Sequence, residues 1–374
     1  MVNQQQPNLK RILKIAGAFI AWMIGSGFAT GQEILQFFSS YGYRSYAVLI
    51  VVLVLFTVLG RILFTTGFDN KDQNFDHFSY YCGEKLGRIY SWLVPFTLIL
   101  MVAVMTSAAG ATLEEYYGID RQIGSAIMAV AVVSSYLAGF EKMVGIVSSI
   151  GPVIILFALV VGATTVGKDL MNFSQIGQHQ EALTGSQASS NWLLSALTYS
   201  SMCFFTAGRY FTALGQASVS VKEAKTGAFI GAVAFIMVVA IMNTAILLNA
   251  GDLTSQEIPT LYLAGRITVL LAGPFSIILV LGMFSTCATM MWSAASVFFK
   301  ADRKRNQISA VILGIIILIL GQFSFSKLLS VFYPLVGYAG LIYIAAVLRE
   351  GFKKKTGARS LTIKAEGSSE AAID

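Results

Sequence analysis

Two stretches of this sequence carry residues suited to binding a solute or an ion, and the first is a cluster of glycines inside an apolar segment. Residues 11–40 (RILKIAGAFIAWMIGSGFATGQEILQFFSS) are long enough to cross a bilayer, but Gly25, Ser26, Gly27 and Gly31 interrupt them. Glycine weakens a helix interior, and a break at membrane depth is tolerated only where protein or a water-filled cavity receives the freed backbone groups. The cluster therefore predicts a binding site built from exposed backbone or, alternatively, a face for close helix packing.

Glu33 follows these glycines and is the acidic residue nearest to the predicted break. A carboxyl group at membrane depth is a functional candidate because burying its charge is expensive. It could act as a gate, as a proton acceptor or as the partner of a cation. The alternative is a structural salt bridge at the outer rim of the span, with Arg44 or Arg121.

The second stretch is a set of oxygen-bearing residues in the predicted eighth apolar span. Gly282, Ser285 and Thr286 are three and four positions apart, so a backbone carbonyl and two hydroxyls share one face of a helix. Hard cations prefer oxygen ligands of this kind. Hydroxyl pairs also join neighbouring helices, so an ion site and a packing contact both remain open.

The residue types that other kinds of chemistry need are missing or badly placed. Both histidines, His77 and His179, fall in predicted loops, and no Ser/His/Asp set, paired histidine ligands or phosphate-binding Gly-Lys-Ser/Thr sequence occurs. Cys82, Cys203 and Cys287 lack metal-type spacing. We therefore expect neither an enzyme nor an ATP-driven pump, and no resident cofactor, which points to a secondary carrier.

Membrane-spanning helices are the elements predicted to position these residues. The chain has 374 residues, of which 56% are hydrophobic and 12% charged, too little polar surface for a soluble domain of this length. Apolar stretches of about 20 residues predict ten spans, at 11–39, 45–67, 88–115, 122–138, 143–166, 191–214, 224–249, 264–299, 307–323 and 328–349. The basic residues lie between and after these spans and form no patch mixed with aromatics, so no nucleic-acid partner is expected.

Lysine and arginine are distributed unevenly between the predicted loops. Most of them lie on one side of the spans and in the tail after Arg349. The loops on the other side hold only Arg44, Arg121, Lys168 and Lys327. Basic residues concentrate on the cytoplasmic side, so we predict a multi-pass protein with both termini in the cytoplasm. The resemblance described below implies that the membrane is the bacterial inner membrane. The tail, residues 350–374, is predicted to be disordered.

The polar segment 167–190 is predicted to be extracellular and divides the spans into two sets of five, in residues 1–166 and 191–349. Five is an odd number, so the two sets have opposite orientations, as in an inverted repeat. The halves share no convincing sequence identity, and the repeat is inferred from the number of spans. The sixth span would then be the partner of the interrupted first span. Its middle, residues 195–208, is rich in serine and threonine, which cap freed backbone groups at a break or bond back to carbonyls in an intact helix.

Residues 23–28, MIGSGF, closely resemble the first-helix signature of the amino acid-polyamine-organocation (APC) permeases, whose fold is the LeuT fold. Along its whole length, with GSGFATGQE early and ten predicted spans, the chain resembles the YkvI-type proteins, which are grouped with amino-acid permeases. The resemblance implies an all-α membrane protein with ten transmembrane helices, a five-plus-five inverted repeat, and discontinuous first and sixth helices.

The resemblance also implies where a substrate and an ion would bind. A half-helix beginning around Ser26 would offer its N–H groups to a substrate carboxylate. A sodium site would join the hydroxyls of Ser285 and Thr286 to carbonyls of the first helix, which in this sequence are those of Ala21 and Ile24. The fifth span has no lysine to stand in for the ion, which favours sodium over a proton. The expected substrate-binding residues are Gly25, Ser26, Gly27, Phe28, Thr106, Ser107, Tyr199, Ser200, Ser201 and Phe204.

We therefore expect a sodium-coupled secondary transporter that moves an amino acid or a related small amine or carboxylate by alternating access. Its expected partners are a small-molecule substrate and the lipid bilayer. Residues 250–264 resemble the loop that caps the outer vestibule of carriers with this fold, although a plain connector is the alternative. A second kind of protein also fits: a ligand-sensing membrane protein that keeps the permease fold without transporting, as germinant-receptor subunits are thought to do.

Overall fold

The structure, a computed structural model, describes residues 7–71, 75–138, 140–177, 183–298 and 303–370, and all regular structure within them is helical. In chain order the α-helices are α1 (Leu9–Met23), α2 (Ser26–Ala29), α3 (Gln32–Phe37), α4 (Ser45–Asp69), α5 (His77–Tyr117), α6 (Arg121–Ala138), α7 (Phe140–Asp169), α8 (Trp192–Ala217), α9 (Val221–Leu248), α10 (Ala250–Leu253), α11 (Pro259–Ile267), α12 (Val269–Phe298), α13 (Arg303–Leu320) and α14 (Phe325–Glu370).

Most of these helices coincide with predicted spans. Within the described residues, α4, α5, α7, α9, α12 and α14 contain segments long and apolar enough to cross a membrane, and α6 and α13 contain shorter apolar segments. The chain is therefore a multi-pass membrane protein. The other two predicted spans are the interrupted first one and α8, whose middle is rich in hydroxyl groups, and the count of ten spans stays a prediction.

The first predicted span is not a single helix. α1 ends at Met23, α2 has only four residues, and α3 begins at Gln32. Gly31 precedes α3 with a φ of 82°, a left-handed conformation that glycine adopts without steric cost. The segment is thus interrupted twice, at residues 24–25 and 30–31, where one break was expected.

The discontinuity predicted in the sixth span is absent, because α8 runs without interruption from Trp192 to Ala217. Its threonines bond back to their own helix: the hydroxyls of Thr198 and Thr206 donate to the carbonyls of Leu194 and Met202 at 2.8 and 2.9 Å. Such hydrogen bonds add to the backbone hydrogen bonds of an intact helix and do not replace them. The alternative reading of this serine- and threonine-rich stretch is the one that the structure supports.

The helices pack in two groups. α1, α4, α8 and α9 form one group, and α5, α6, α12 and α13 form the other. α14 contacts both α8 and α5, and α7 contacts both α9 and α12, so these two helices join the groups. The interrupted segment lies between them, since α1 packs on α9 whereas α2 contacts α12.

Aromatic side chains fill the first group. The ring of Phe19 stacks on that of Phe211 with centroids 4.8 Å apart, and the rings of Phe56 and Phe204 meet edge to face at 5.1 Å. All four side chains are fully buried, and within a bilayer such close van der Waals packing is what holds helices together. This core fixes α1 against α4 and α8, so the end of α1 reaches the interruption in a defined position.

The placement of the histidines differs from the prediction in one case. His77 is not in a loop: it is the first residue of α5 and only 3% of its surface is exposed. The carboxyl of Asp76 accepts the backbone N–H of Phe78 and so caps this helix. His179 lies outside the described residues.

Candidate functional site

A cavity of about 60 Å³ lies where the interrupted first span meets α5, α8, α12 and α14. At roughly 10–15 Å³ for each water-sized occupant, it has room for about four to six such occupants. The residues that line it are Trp22, Met23, Gly25, Gly27, Glu33, Met101, Met105, Met202, Cys203, Thr206, Thr286, Met290 and Tyr333. Residues far apart in the sequence thus share one small space.

The backbone groups released by the interruption are taken up by protein. Thr260 in α11 donates its hydroxyl to the carbonyl of Ala29 at 2.6 Å and its N–H to the carbonyl of Thr30 at 3.1 Å. The hydroxyl of Thr30 donates to the carbonyl of Gly27 and accepts the N–H of Gln32. These bonds replace intrahelical ones, which is the condition for a stable break at membrane depth.

Glu33 folds back against Gly27. A Cβ atom at Gly27 would collide with Oε1 of Glu33 and would lie 3.0 Å from the hydroxyl of Tyr333. The Tyr333 hydroxyl and the Glu33 carboxyl thus both lie against Gly27. A Cβ atom at Gly25, by contrast, would meet no atom within 4 Å. Glycine is therefore required at position 27 to make room for the carboxyl, and not at position 25.

Glu33 is 7% exposed and is the one charged side chain among the described residues that line the cavity. The salt bridge considered with Arg121 is not formed, because Arg121 pairs with Glu114 and Glu257. No ion pair in the described part of the chain involves Glu33 or Arg44. A buried carboxylate without a counter-ion is costly, so this group suits a proton or a cation that enters the cavity.

The predicted substrate-binding residues of the first span lie at the cavity only in part. Gly25 and Gly27 line it, and the backbone of Ser26 lies between them, whereas the side chain of Ser26 is outside the described part of the structure. Phe28 is 1% exposed and packs against the ring of Phe235, with centroids 5.5 Å apart. Its position is that of a core residue beside the site.

The predicted wall residues of α5 and α8 are buried but do not line the cavity. These are Thr106, Ser107, Tyr199, Ser200, Ser201 and Phe204. The hydroxyl of Ser107 donates to the carbonyl of Phe323, and that of Ser201 donates to the carbonyl of Gly337 at 2.6 Å. Tyr199 stacks on Phe56. These side chains hold helices together around the site, and a direct role in binding stays a prediction.

The residues that do face the cavity from these helices were missed. Five methionines line it, namely Met23, Met101, Met105, Met202 and Met290, together with Cys203 and Thr206 of α8. Methionine is apolar, polarizable and adaptable in shape. The spacing of Met101 and Met105, four positions apart on α5, is the one sequence signal that places two of them on a common face.

The predicted ion ligands are placed unequally. Thr286 lines the cavity, and its hydroxyl donates to the carbonyl of Gly282 at 3.0 Å, which leaves lone pairs on the hydroxyl oxygen to face a cation. Ser285 is 8% exposed beside it. Ile24 is buried and its N–H donates to the carbonyl of Ile20, whereas Ala21 is exposed. Of the predicted ion ligands, Thr286 is thus the one that lines the cavity, and an ion site stays a prediction.

Residues 250–264 cover the interruption, through the bonds of Thr260 described above. Glu257, just before α11, pairs with Arg121 of α6 at 3.0 Å and accepts the N–H of Phe325 at the start of α14. The carboxyl of Glu115 in turn accepts the N–H of Glu257 at 2.8 Å. Glu115 is therefore tied to this cap directly, and Glu114 is tied to it through Arg121.

Comparison with other proteins supports the sequence resemblance. No family model matches the chain. It is 27% identical over 360 residues to the uncharacterized membrane protein YkvI of Bacillus subtilis strain 168, covering 93% of this chain and 97% of that protein. The resemblance to the YkvI-type proteins is confirmed. The chain is also 24% identical over 341 residues to YyaD of the same organism, covering 91% and 96% of the two chains.

Two solved structures illustrate the similarity of fold. The structure of MhsT in complex with L-phenylalanine matches with a TM-score of 0.58 at 13% identity, covering 90% of this chain and 87% of MhsT. The manganese transporter of Eremococcus coleocola matches with a TM-score of 0.52 at 12% identity, covering 88% and 75%. At these identities the similarity concerns the fold, which is the LeuT type that the first-helix motif implied.

Proposed function

We propose that this protein is a secondary active transporter that moves a small organic solute, an amino acid or a related amine or carboxylate, by alternating access. The observation that carries this proposal is the cavity at the interrupted first span, enclosed by α5, α8, α12 and α14. Carriers of this fold bind their substrates at a discontinuous helix near the middle of the membrane.

Alternating access requires a barrier on each side of the cavity, and both sides offer one. On one side the cap formed by residues 250–264 holds the interruption through Thr260. On the other side Trp22 lines the cavity and stacks on Tyr210 of α8 with ring centroids 4.8 Å apart. We propose that these two sets of contacts open in turn. The charge asymmetry of the loops puts the cap on the extracellular side.

Sodium is the proposed coupling ion, carried together with the substrate. The hydroxyls of Ser285 and Thr286 and the carbonyl of Ile24 are the proposed ligands, with Gly282 and Ala21 completing the predicted set. Thr286 supports this assignment because it shares the cavity with Gly25 and Gly27. An ion bound there would link α12 to the end of α1 and so favour the conformation that binds substrate.

Counterflow in liposomes tests the proposal. Purified protein in liposomes preloaded with an unlabelled amino acid or amine should accumulate the labelled compound from outside, faster in sodium than in choline. Protein-free liposomes and the Gly27→Val variant, in which the side chain fills the site, are the controls. Binding of a ligand without any exchange would contradict a carrier and would instead identify a ligand-sensing protein of permease fold.

A further inference from the structure

We propose that the substrate is a small organic cation, an alkylamine that has no carboxylate of its own, and that its ammonium group pairs with Glu33. This inference rests on the proposed function, since it names the class of solute that the cavity accepts. Charge, position and size support it independently.

The first argument is the charge of the cavity. Among the described residues that line it, Glu33 supplies a carboxyl and none is lysine, arginine or histidine. A substrate that brings a positive charge relieves the cost of the buried carboxylate, whereas one that brings a negative charge adds to it. The lining of the cavity therefore favours the binding of a cation.

The second argument is the position of the carboxyl. The resemblance to amino-acid carriers implied a substrate carboxylate at the start of a half-helix around Ser26. That helix, α2, has only four residues and ends before Gly31, so its dipole is small. Oxygen Oε1 of Glu33 lies against Gly27 in the same place. The protein thus supplies its own carboxylate where the substrate's would bind, and a second one would be repelled.

The third argument is the rest of the lining and its size. Five methionines and the rings of Trp22 and Tyr333 provide apolar, polarizable surface, which suits an alkyl group and tolerates a cation over an aromatic ring. The volume of about 60 Å³ limits the solute to a few non-hydrogen atoms.

The experiment compares three probes that share a branched alkyl group. Isobutylamine is a cation, valine carries the same amine with an added carboxylate, and isobutyrate is an anion. Binding to the purified full-length chain is measured by calorimetry and by the rise in unfolding temperature. Isobutylamine is expected to bind, valine to bind at least tenfold more weakly, and isobutyrate not to bind.

Variants then assign the effect to Glu33. Glu33→Gln keeps the side-chain volume and is expected to weaken isobutylamine binding by about 30-fold or more, because a buried charge pair loses one partner. Glu33→Asp keeps the charge and should retain measurable binding. Glu84→Gln removes an exposed carboxylate at the start of α5 and should bind like the parent. The unfolding temperature of each variant without ligand shows that it is folded.

Several results would overturn the proposal. These are tighter binding of valine than of isobutylamine, equal binding of isobutylamine to the parent and to Glu33→Gln, and no binding of isobutylamine, propylamine or methylamine at millimolar concentration. Stabilisation by a Cu(I) salt but not by amines would instead make the methionines metal ligands. The proposed function fails separately. Exchange of valine but not of isobutylamine in liposomes keeps the carrier and rejects the amine, whereas isobutylamine that binds without exchanging keeps the site and rejects the carrier.

Discussion

Replacing Gly27 with alanine is expected to weaken substrate binding while the protein stays folded. The new Cβ would take the space of Glu33 Oε1 and would approach the Tyr333 hydroxyl to 3.0 Å. Oε1 ends the flexible Glu33 side chain, so the carboxyl can swing away at little steric cost, but it then no longer lies where it would accept a hydrogen bond from the substrate. A hydrogen bond to a charged group contributes about 1.5–3 kcal/mol. If binding needs the carboxyl held in that place, affinity falls by about 10- to 150-fold.

Gly17→Ala in α1 is the matched control, because Gly17 does not line the cavity. No atom lies within 4 Å of its Cβ, so the substitution should leave affinity unchanged. It should also leave the unfolding temperature equal or slightly higher. Alanine lowers the conformational entropy of the unfolded chain, which stabilises the folded state by about 0.4–1 kcal/mol. Calorimetric titration and thermal unfolding of both variants, purified in parallel, give the comparison. Parent-like affinity of Gly27→Ala would refute the role given to the carboxyl position.

Three further predictions concern the ion, the cap and the topology. Changing Ser285 and Thr286 together to alanine should reduce the sodium dependence of substrate affinity, a coupling of about 1–3 kcal/mol in the parent. Thr260→Val leaves the buried carbonyl of Ala29 without its donor and should cost about 1–3 kcal/mol, measured as a lower unfolding temperature and faster hydrogen exchange in residues 24–31. Single cysteines that replace Ser186 or Asn306 in a cysteine-free variant should differ in their labelling by an impermeant maleimide in intact cells. Only the cysteine at position 186 should react.

Each of these predictions has a control and a result that would contradict it. Thr289→Ala should keep the sodium dependence of substrate affinity, since the Thr289 hydroxyl bonds to carbonyls of its own helix. If the substrate affinity of the parent protein is the same with and without sodium, the ion site is ruled out. Thr254→Val, on the exposed part of the cap segment, should not change hydrogen exchange; parent-like exchange in Thr260→Val would mean that the cap does not hold the interruption. Maleimide labelling at position 306 but not at 186 would invert the proposed orientation.

The fold could be predicted where the signal is local. Apolar length predicts a membrane helix from composition alone, and the glycines around residue 25 weaken a helix whatever lies near them. The continuity of α8 could not be predicted in the same way, because a serine or threonine hydroxyl serves a broken helix and an intact one equally well. The outcome depends on distant partners, such as the carbonyls of Phe37 and Gly337 that accept from Ser195 and Ser201.

The candidate site shows the same difference between features with a local sequence signal and features that depend on distant contacts. Glu33 was found in the sequence because a charge in an apolar span is conspicuous, and Gly27 because of its helix-weakening cluster. The methionine lining was not found, since methionine is an ordinary core residue and its side chain is identified as part of a cavity only by the packing of several helices. Tyr333 was missed for a related reason: its hydroxyl reaches Glu33 from the last membrane helix, and no spacing in the sequence links the two.

The intact α8 bears on how such a carrier would move. Because α8 is continuous, we expect a change of access to come from movement of the first segment against α8. α1 is anchored at its start by the ion pair between Arg11 and Glu223, and α3 is anchored by the hydrogen bond from Gln36 to the carbonyl of Ser326. Between these anchors, residues 24–31 hold one short turn of helix, which has few internal hydrogen bonds and therefore low local stability. Residues 24–31 are thus the part of the chain that can deform, and they hold Gly27 against the Glu33 carboxyl. We therefore expect binding at the carboxyl to be coupled to movement of this segment.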